Sequence, residues 1–321
     1  MSNPTSGIIR ADVPLPTNTI RRLFSCVFRQ EHSMKQCGTY QAPDFDLTGK
    51  TAVVTGGNGG IGFETCKGLV RQGARVIIGC RRLEEGKRAA TCLRQENETA
   101  EVECFHLDLQ DLKSVSKFCQ DILALLPNGL DILVCNAGVW PQTNATSAQG
   151  YEIAFATNVL GHFYLIQLVL SKLQACKDSR VVMLTGDIYC LASECSSNFS
   201  PEPWDGKMAY CRSKLGNIWL AKELARRYST LTSVIVHPGV INTNLGGSGG
   251  AWLKQWLLIS PERGAQTTLY CCGADTAVLT SGGYYHNTWG EVQFPDNDPA
   301  LDAEKALALW TLCQDIVGNH S

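Results

Sequence analysis

A tyrosine and a lysine four residues apart, Tyr210 and Lys214 in Tyr210-Cys211-Arg212-Ser213-Lys214, are the first residues in this chain whose spacing proposes a reaction. On a helix, positions i and i+4 share a face, so the ammonium comes near the phenol. A free phenol titrates near 10 and is a poor base at neutral pH. A close cation favours the phenolate, lowers that value by roughly 1–3 units, and turns the tyrosine into a usable proton donor and acceptor. The pair gains meaning from a second stretch far upstream, Thr55-Gly56-Gly57-Asn58-Gly59-Gly60-Ile61-Gly62. The apolar run Ala52-Val53-Val54 precedes it and an amphipathic segment follows. Strand, glycine turn and helix together bring backbone N–H groups and a positive helix end up to a dinucleotide pyrophosphate. Gly56, Asn58, Gly60, Ile61 and Gly62 are therefore candidate cofactor contacts.

Further candidates sit where other apolar runs stop. Arg81 and Arg82 follow Ile77-Ile78-Gly79-Cys80, where a carboxylate would suit a ribose hydroxyl and a guanidinium suits a 2′-phosphate. Arginine here points to NADP(H). Asp108 closes the third run, either to accept from an adenine amino group or to cap the helix near Leu112. Asn136-Ala137-Gly138 closes the fourth with small residues that let the backbone approach a flat ligand.

The elements that must position these residues alternate without a break. Strands are expected at 51–55, 75–80, 102–107, 132–135, 180–184 and 233–236. Helices are expected at 61–72, 83–95, 112–126 and 208–228, with one long helix or two over 150–176 and a closing helix over 301–317. This pattern predicts an α/β fold, a single doubly wound Rossmann-type domain with a central parallel sheet and helices on both faces. Its expected span is 47–318.

Residues 1–46 read as an extension, partly helical or disordered, punctuated by Pro4, Pro14, Pro16 and Pro43. Within it, 19–30 places Ile20, Leu23, Phe24 and Val27 on one side and Arg21, Arg22 and Arg29 elsewhere. An interfacial helix and a helix packed on its own domain both fit. No run approaches the roughly 20 apolar residues that cross a bilayer.

The apolar share of 44% suffices for a core, and a net charge of −2 suggests neither a nucleic-acid binder nor a polybasic membrane protein. The 15 cysteines lack paired CxxC spacing, and several lie inside apolar runs. Reduced thiols in a cytoplasmic or nuclear compartment are the simpler reading, and no metal site is expected. Sequons at Asn97, Asn144 and Asn198 would matter only on a secretory route, which no signal-peptide pattern supports.

These motifs, together with Asn158-Val159-Leu160-Gly161-His162-Phe163, His237-Pro238-Gly239 and Pro261-Glu262-Arg263-Gly264-Ala265-Gln266-Thr267, resemble the short-chain dehydrogenases/reductases. Within that family the chain is most similar to the retinol-dehydrogenase-like branch. The resemblance implies an oxidoreductase that interconverts an alcohol and a carbonyl with Tyr210 as general acid/base. It implies that Lys214 holds the nicotinamide ribose and depresses the Tyr210 pKa, and that Asn158 supports a proton-supplying water chain. Val240 and Thr243 would meet the nicotinamide carboxamide and phosphate region.

The chain departs from the family at the serine expected to bind the substrate oxygen. Arg180-Val181-Val182-Met183-Leu184-Thr185-Gly186-Asp187 places Gly186 there by one count and Thr185 by another. Thr185 is the candidate for the hydroxyl role. Asp187 would oppose Lys214 if its carboxylate lay close to Tyr210. Ser193, Ser196 and Ser197 would substitute only if their loop folds back. An impaired NADP(H)-binding sensor or scaffold is the alternative reading.

The apolar stretch 246–260, with Trp252 and Trp256, matches the family's variable lid and suits a lipid-, retinoid- or steroid-like substrate. A dimer contact or peripheral membrane contact explains the same residues. Trp204, Trp289, Tyr284 and Tyr285 are further candidates for the pocket wall.

Overall fold

The structure is a computed structural model that describes residues 22–23, 41–196, 203–241, 259–287 and 289–320. Strands β1 (Thr51–Thr55), β2 (Arg75–Cys80), β3 (Val102–His106), β4 (Ile132–Cys135), β5 (Arg180–Leu184) and β6 (Thr232–His237) run parallel. Two short strands, β7 (Tyr284–His286) and β8 (Gly290–Val292), extend one edge; β7 is parallel to β6 and β8 antiparallel to β7. The order is β3-β2-β1-β4-β5-β6-β7-β8. Order reverses between β1 and β4, which opens a ligand crevice at the carboxyl ends of the strands.

Alternation along the strands divides the core into two layers. Val53, Ile77, Leu133, Val181, Met183 and Ile235 face one side. There they pack beneath α3 (Leu112–Leu123), α4 (Gly161–Ala175), α5 (Gly206–Arg227) and α7 (Ala303–Gly318). Val54, Val76, Ile78, Val134, Val182 and Val234 face the other, beneath α1 (Gly60–Arg71), α2 (Leu83–Glu96) and α6 (Pro261–Gly273). Burial on both faces is why the strands read as unbroken apolar runs.

Four elements differ from expectation. The 150–176 stretch contains a π-helical segment, Phe155–Leu160, running straight into α4. Such segments concentrate at functional sites, and this one carries Asn158. Helix α6 was not among the expected helices; it opens at Ser260-Pro261, where the Ser260 hydroxyl accepts from the Arg263 N–H at 3.4 Å and proline fits the first turn. β7 and β8 have three residues each, too few for periodicity to reveal.

Of the N-terminal stretch 19–30 only Arg22 and Leu23 are described. Arg22 is buried and ion-paired with Asp187 and Asp298. Among the described residues no helix is long and apolar enough to cross a membrane, and the cysteines are free thiols.

Candidate functional site

The crevice has a volume of about 850 Å³. The glycine loop, Arg81, Asp108, Asn136, Gly138, Thr185, Tyr210 and Lys214 all line it. At its base Gly56 has φ +68°, open to glycine at little cost. A Cβ on Gly62 would stand 2.3 Å from the Gly56 carbonyl oxygen, so α1 can start this close to β1 only with glycine. Gly59 faces open space, leaving a floor without side chains for a phosphate.

Thr55 fixes the loop. Its buried Oγ1 accepts from the Asn136 and Ala137 N–H groups, both at 3.0 Å. Asn136 Nδ2 in turn donates to the Thr55 carbonyl at 2.8 Å. His162 links Thr55 to the π-helical segment, with Nε2 at 2.9 Å from Thr55 Oγ1 and Nδ1 at 3.1 Å from the Asn158 carbonyl. Burial pushes the His162 pKa down to about 4, which keeps this brace neutral. Thr55 and His162 lie in the quoted motifs, but residue spacing assigned neither of them a bracing role.

Arg81 is exposed and, among the described residues, makes no ion pair, so its guanidinium is available at the end of β2. Neighbouring Arg82 is held by Glu85 at 3.1 Å, and Glu85 also accepts from Asn58 Nδ2 at 3.2 Å. The nearby acid is thus engaged. Asp108 is not the cap of α3: Asp111 accepts from the Lys113 N–H at 3.1 Å. Asp108 accepts instead from the backbone and side chain of Gln110, at 3.2 and 3.1 Å. An exposed guanidinium, a floor without side chains and a helix N-terminus form a donor set that fits a phosphorylated dinucleotide.

At the opposite end, Tyr210 stacks on Trp140 with ring centroids 4.7 Å apart and planes 9° from parallel. Lys214 Nζ lies 5.4 Å from the Tyr210 centroid and donates to the Leu184 carbonyl at 3.4 Å. The anticipated depression of the phenol is not what these surroundings produce. Burial first, then Cys211, push the Tyr210 pKa above its ordinary value. Burial also lowers Lys214 to about 8, so the cation is itself weakened near neutrality.

Asn158 braces the site. Its Oδ1 accepts from the Val139 N–H at 2.8 Å, while Nδ2 donates to the Val139 carbonyl at 3.0 Å and Ser213 Oγ at 2.8 Å. Both donors are spent on holding the strand-four turn against α5.

Thr185 reaches the crevice wall, but its Oγ1 donates to the Lys214 carbonyl at 2.8 Å. Asp187 does not lie against Tyr210. Its Oδ1 accepts from the Tyr284 hydroxyl, and its Oδ2 lies 3.2 Å from His286 Nε2. Arg22 is 3.5 Å away. The short 3₁₀ turn Asp187–Leu191 directs the carboxylate into the protein interior, where these donors offset its burial.

Ser193 is exposed and neither it nor Ser196 lines the crevice; Ser197 lies outside the described residues. Tyr284 and Tyr285 are buried in β7, Trp289 stacks on His286, and neither they nor Trp204 line the crevice. Trp140, Val139, Leu184, Pro238 and Pro261 supply its apolar wall. Val240 is half-buried beside it, its carbonyl accepting from Ile259 at 3.1 Å. Thr243 and most of the 246–260 stretch lie outside the described residues.

Residues 50–254 match the family model described as short chain dehydrogenase. Retinol dehydrogenase 13 of Homo sapiens is 36% identical over 287 residues, covering 85% of this chain and 86% of that protein. Among solved structures, an uncharacterized protein from Mycobacterium paratuberculosis superposes with a TM-score of 0.70 at 30% identity, covering 87% and 98% of the two chains. The Pseudomonas aeruginosa RhlG/NADP active-site complex superposes with a TM-score of 0.60 at 26% identity, covering 76% and 96%.

Proposed function

The chain belongs to the short-chain dehydrogenases, in their retinol-dehydrogenase-like branch, and from that premise we propose an NADP(H)-dependent oxidoreductase that interconverts an apolar alcohol and its carbonyl. The observation that carries the proposal is the convergence of Tyr210, Lys214 and the glycine loop on one crevice with exposed Arg81 at its other end. The NADP in the RhlG complex supports the same cofactor class. Bound there, the nicotinamide would supply or accept the hydride.

The chain's own residues then handle position and protons. Arg81 pairs with the 2′-phosphate, and Gly56, Gly60 and Gly62 let the backbone meet the pyrophosphate. Tyr210, protonated at neutral pH by its burial, donates to the carbonyl oxygen during reduction. Trp140 holds the phenol plane, and Asn158 fixes the strand-four turn against the helix that bears Tyr210. Val139, Trp140 and Pro261 exclude water from one side and favour a lipid-, retinoid- or steroid-like substrate.

A second reading is a binding protein with an impaired active site. It is favoured by the Thr185 hydroxyl, whose proton is committed to Lys214, and by the absence of any side chain on Gly186. One experiment separates the two. NADPH is titrated by fluorescence, and its oxidation is followed with apolar aldehydes and ketones for the wild type and Tyr210→Phe. Turnover lost in the variant with NADPH still bound supports the enzyme. Tight NADPH binding without wild-type turnover on the whole panel supports the binding protein.

A further inference from the structure

Behind the crevice, three neighbouring strand ends gather Asp187, His237 and His286 from distant parts of the sequence. Asp187 follows β5, His237 closes β6 and His286 closes β7. Their relative exposures are 3%, 4% and 1%. One donor atom from each lies within 4.8 Å of the other two, so holding one ion at about 2.1 Å requires the widest pair to close to about 4.2 Å or less.

The Asp187 Oδ2 to His286 Nε2 separation is 3.2 Å. Two ligands about 2.1 Å from one ion stand about 3.0 Å apart in octahedral and about 3.4 Å apart in tetrahedral geometry. That length suits a hydrogen bond equally well, so His237 is the informative member. Its ring packs on His286 with centroids 4.5 Å apart. Among the described residues neither of its nitrogens has a hydrogen-bond partner. An imidazole this deeply buried has surrendered its water without a replacement, a situation that calls for a ligand.

We propose that Asp187, His237 and His286 form a binding site for a divalent transition-metal ion of the zinc class. Two imidazoles and one carboxylate are a donor set such ions take, with a position left open for a further ligand. The other Asp187 oxygen accepts from Tyr284 and faces Arg22, which orients Oδ2 toward the imidazoles.

Arg22 does not exclude a cation. Its single charge is shared with a second carboxylate, Asp298, at 2.7 Å. The site also backs onto Gly186, since a Cβ there would stand 3.9 Å from His237 Nδ1. Sequence spacing hides the constellation because its members meet only through the adjacency of β5, β6 and β7.

Because the site is buried, loading is tested during synthesis. The full chain is expressed in medium supplemented with zinc or with cobalt, then purified without chelator. Metal is measured by mass spectrometry, and cobalt also by its visible ligand-field bands. About one equivalent per chain is expected. His286→Gln and His237→Gln should each lower it at least about tenfold. Circular dichroism and urea unfolding establish that each variant is folded. If His237→Gln fails to fold, His286→Gln decides alone, because its amide can still donate to Asp187. Less than about a tenth of an equivalent in wild type, or metal retained in the folded His286 variant, overturns the site.

Discussion

Thr185 Oγ1 donates its proton to the carbonyl oxygen of Lys214, 2.8 Å away, so the hydroxyl that follows β5 is bound to the helix that bears Tyr210. It cannot also donate to a substrate oxygen while this bond stands. The neighbouring position has space instead. Gly186 is extended, with φ −161°, and a Cβ there would meet His237 Nδ1 only at 3.9 Å and Ile188 Cγ2 at 4.0 Å.

Gly186→Ser should therefore fold normally and add a hydroxyl at the position that one count assigns to the family's serine, next to Thr185 of the crevice wall. A positioned donor to a developing oxyanion contributes roughly 10²–10³ in rate, and an unoptimised one about tenfold or more. The measurement is kcat for NADPH-dependent reduction of the best apolar aldehyde. A serine variant no faster than wild type would show that the hydroxyl position is not the limiting defect.

Arg81→Asp should weaken NADPH by about 10- to 100-fold, the worth of a charge-assisted bond to phosphate. NADH, which has no 2′-phosphate, should change little. Arg82 cannot take over easily because Glu85 holds it at 3.1 Å. Fluorescence titration of both cofactors checks this, and equal losses for the two would remove Arg81 from the 2′-phosphate.

Arg22→Met should destabilise the protein by about 3–5 kcal/mol, the usual consequence of stripping one partner from a buried ion pair. The variant leaves Asp187 and Asp298 without their shared guanidinium, and Tyr189 without its 2.5 Å contact to it. Urea unfolding reads the change. A loss below about 1 kcal/mol would mean that the pair behaves as an exposed one.

The fold was legible because its signals are periodic: apolar strand runs, amphipathic helices and a glycine turn between β1 and α1. Tyr210 and Lys214 were legible because helical spacing alone puts them together. The behaviour of Asp187 was not, since its partners come from two distant segments, Arg22 near the N-terminus and Tyr284 and His286 in β7, and the direction of one 3₁₀ turn brings the carboxylate to them. Trp140 was missed for a related reason. Its stacking on Tyr210 depends on where the loop after β4 runs, which no residue spacing encodes. The sign of the Tyr210 shift likewise needed the burial around the pair, because Lys214, lowered to about 8, has lost its proton before the phenol ionises.

Lys214 gives the last prediction, in which pH reports burial. Its pKa falls from 10.5 to about 8 because burial penalises the ammonium. The unfolded chain therefore holds more protons at this residue than the folded one between about pH 8 and 10.5, and the Lys214 contribution to stability rises with pH across that window. Below about pH 8 the burial cost is present in full, on the order of 3 kcal/mol for a shift of this size. Lys214→Met removes the titration and keeps most of the side-chain volume. The stability of Lys214→Met relative to wild type should thus be greatest near pH 7 and shrink toward pH 10, read by urea unfolding of both proteins at each pH. A difference that stays flat from pH 7 to 10 would mean that Lys214 keeps its ordinary pKa and stays charged up to the range in which Tyr210 ionises. In that case the phenol would have the cationic support that the burial of the pair otherwise withholds.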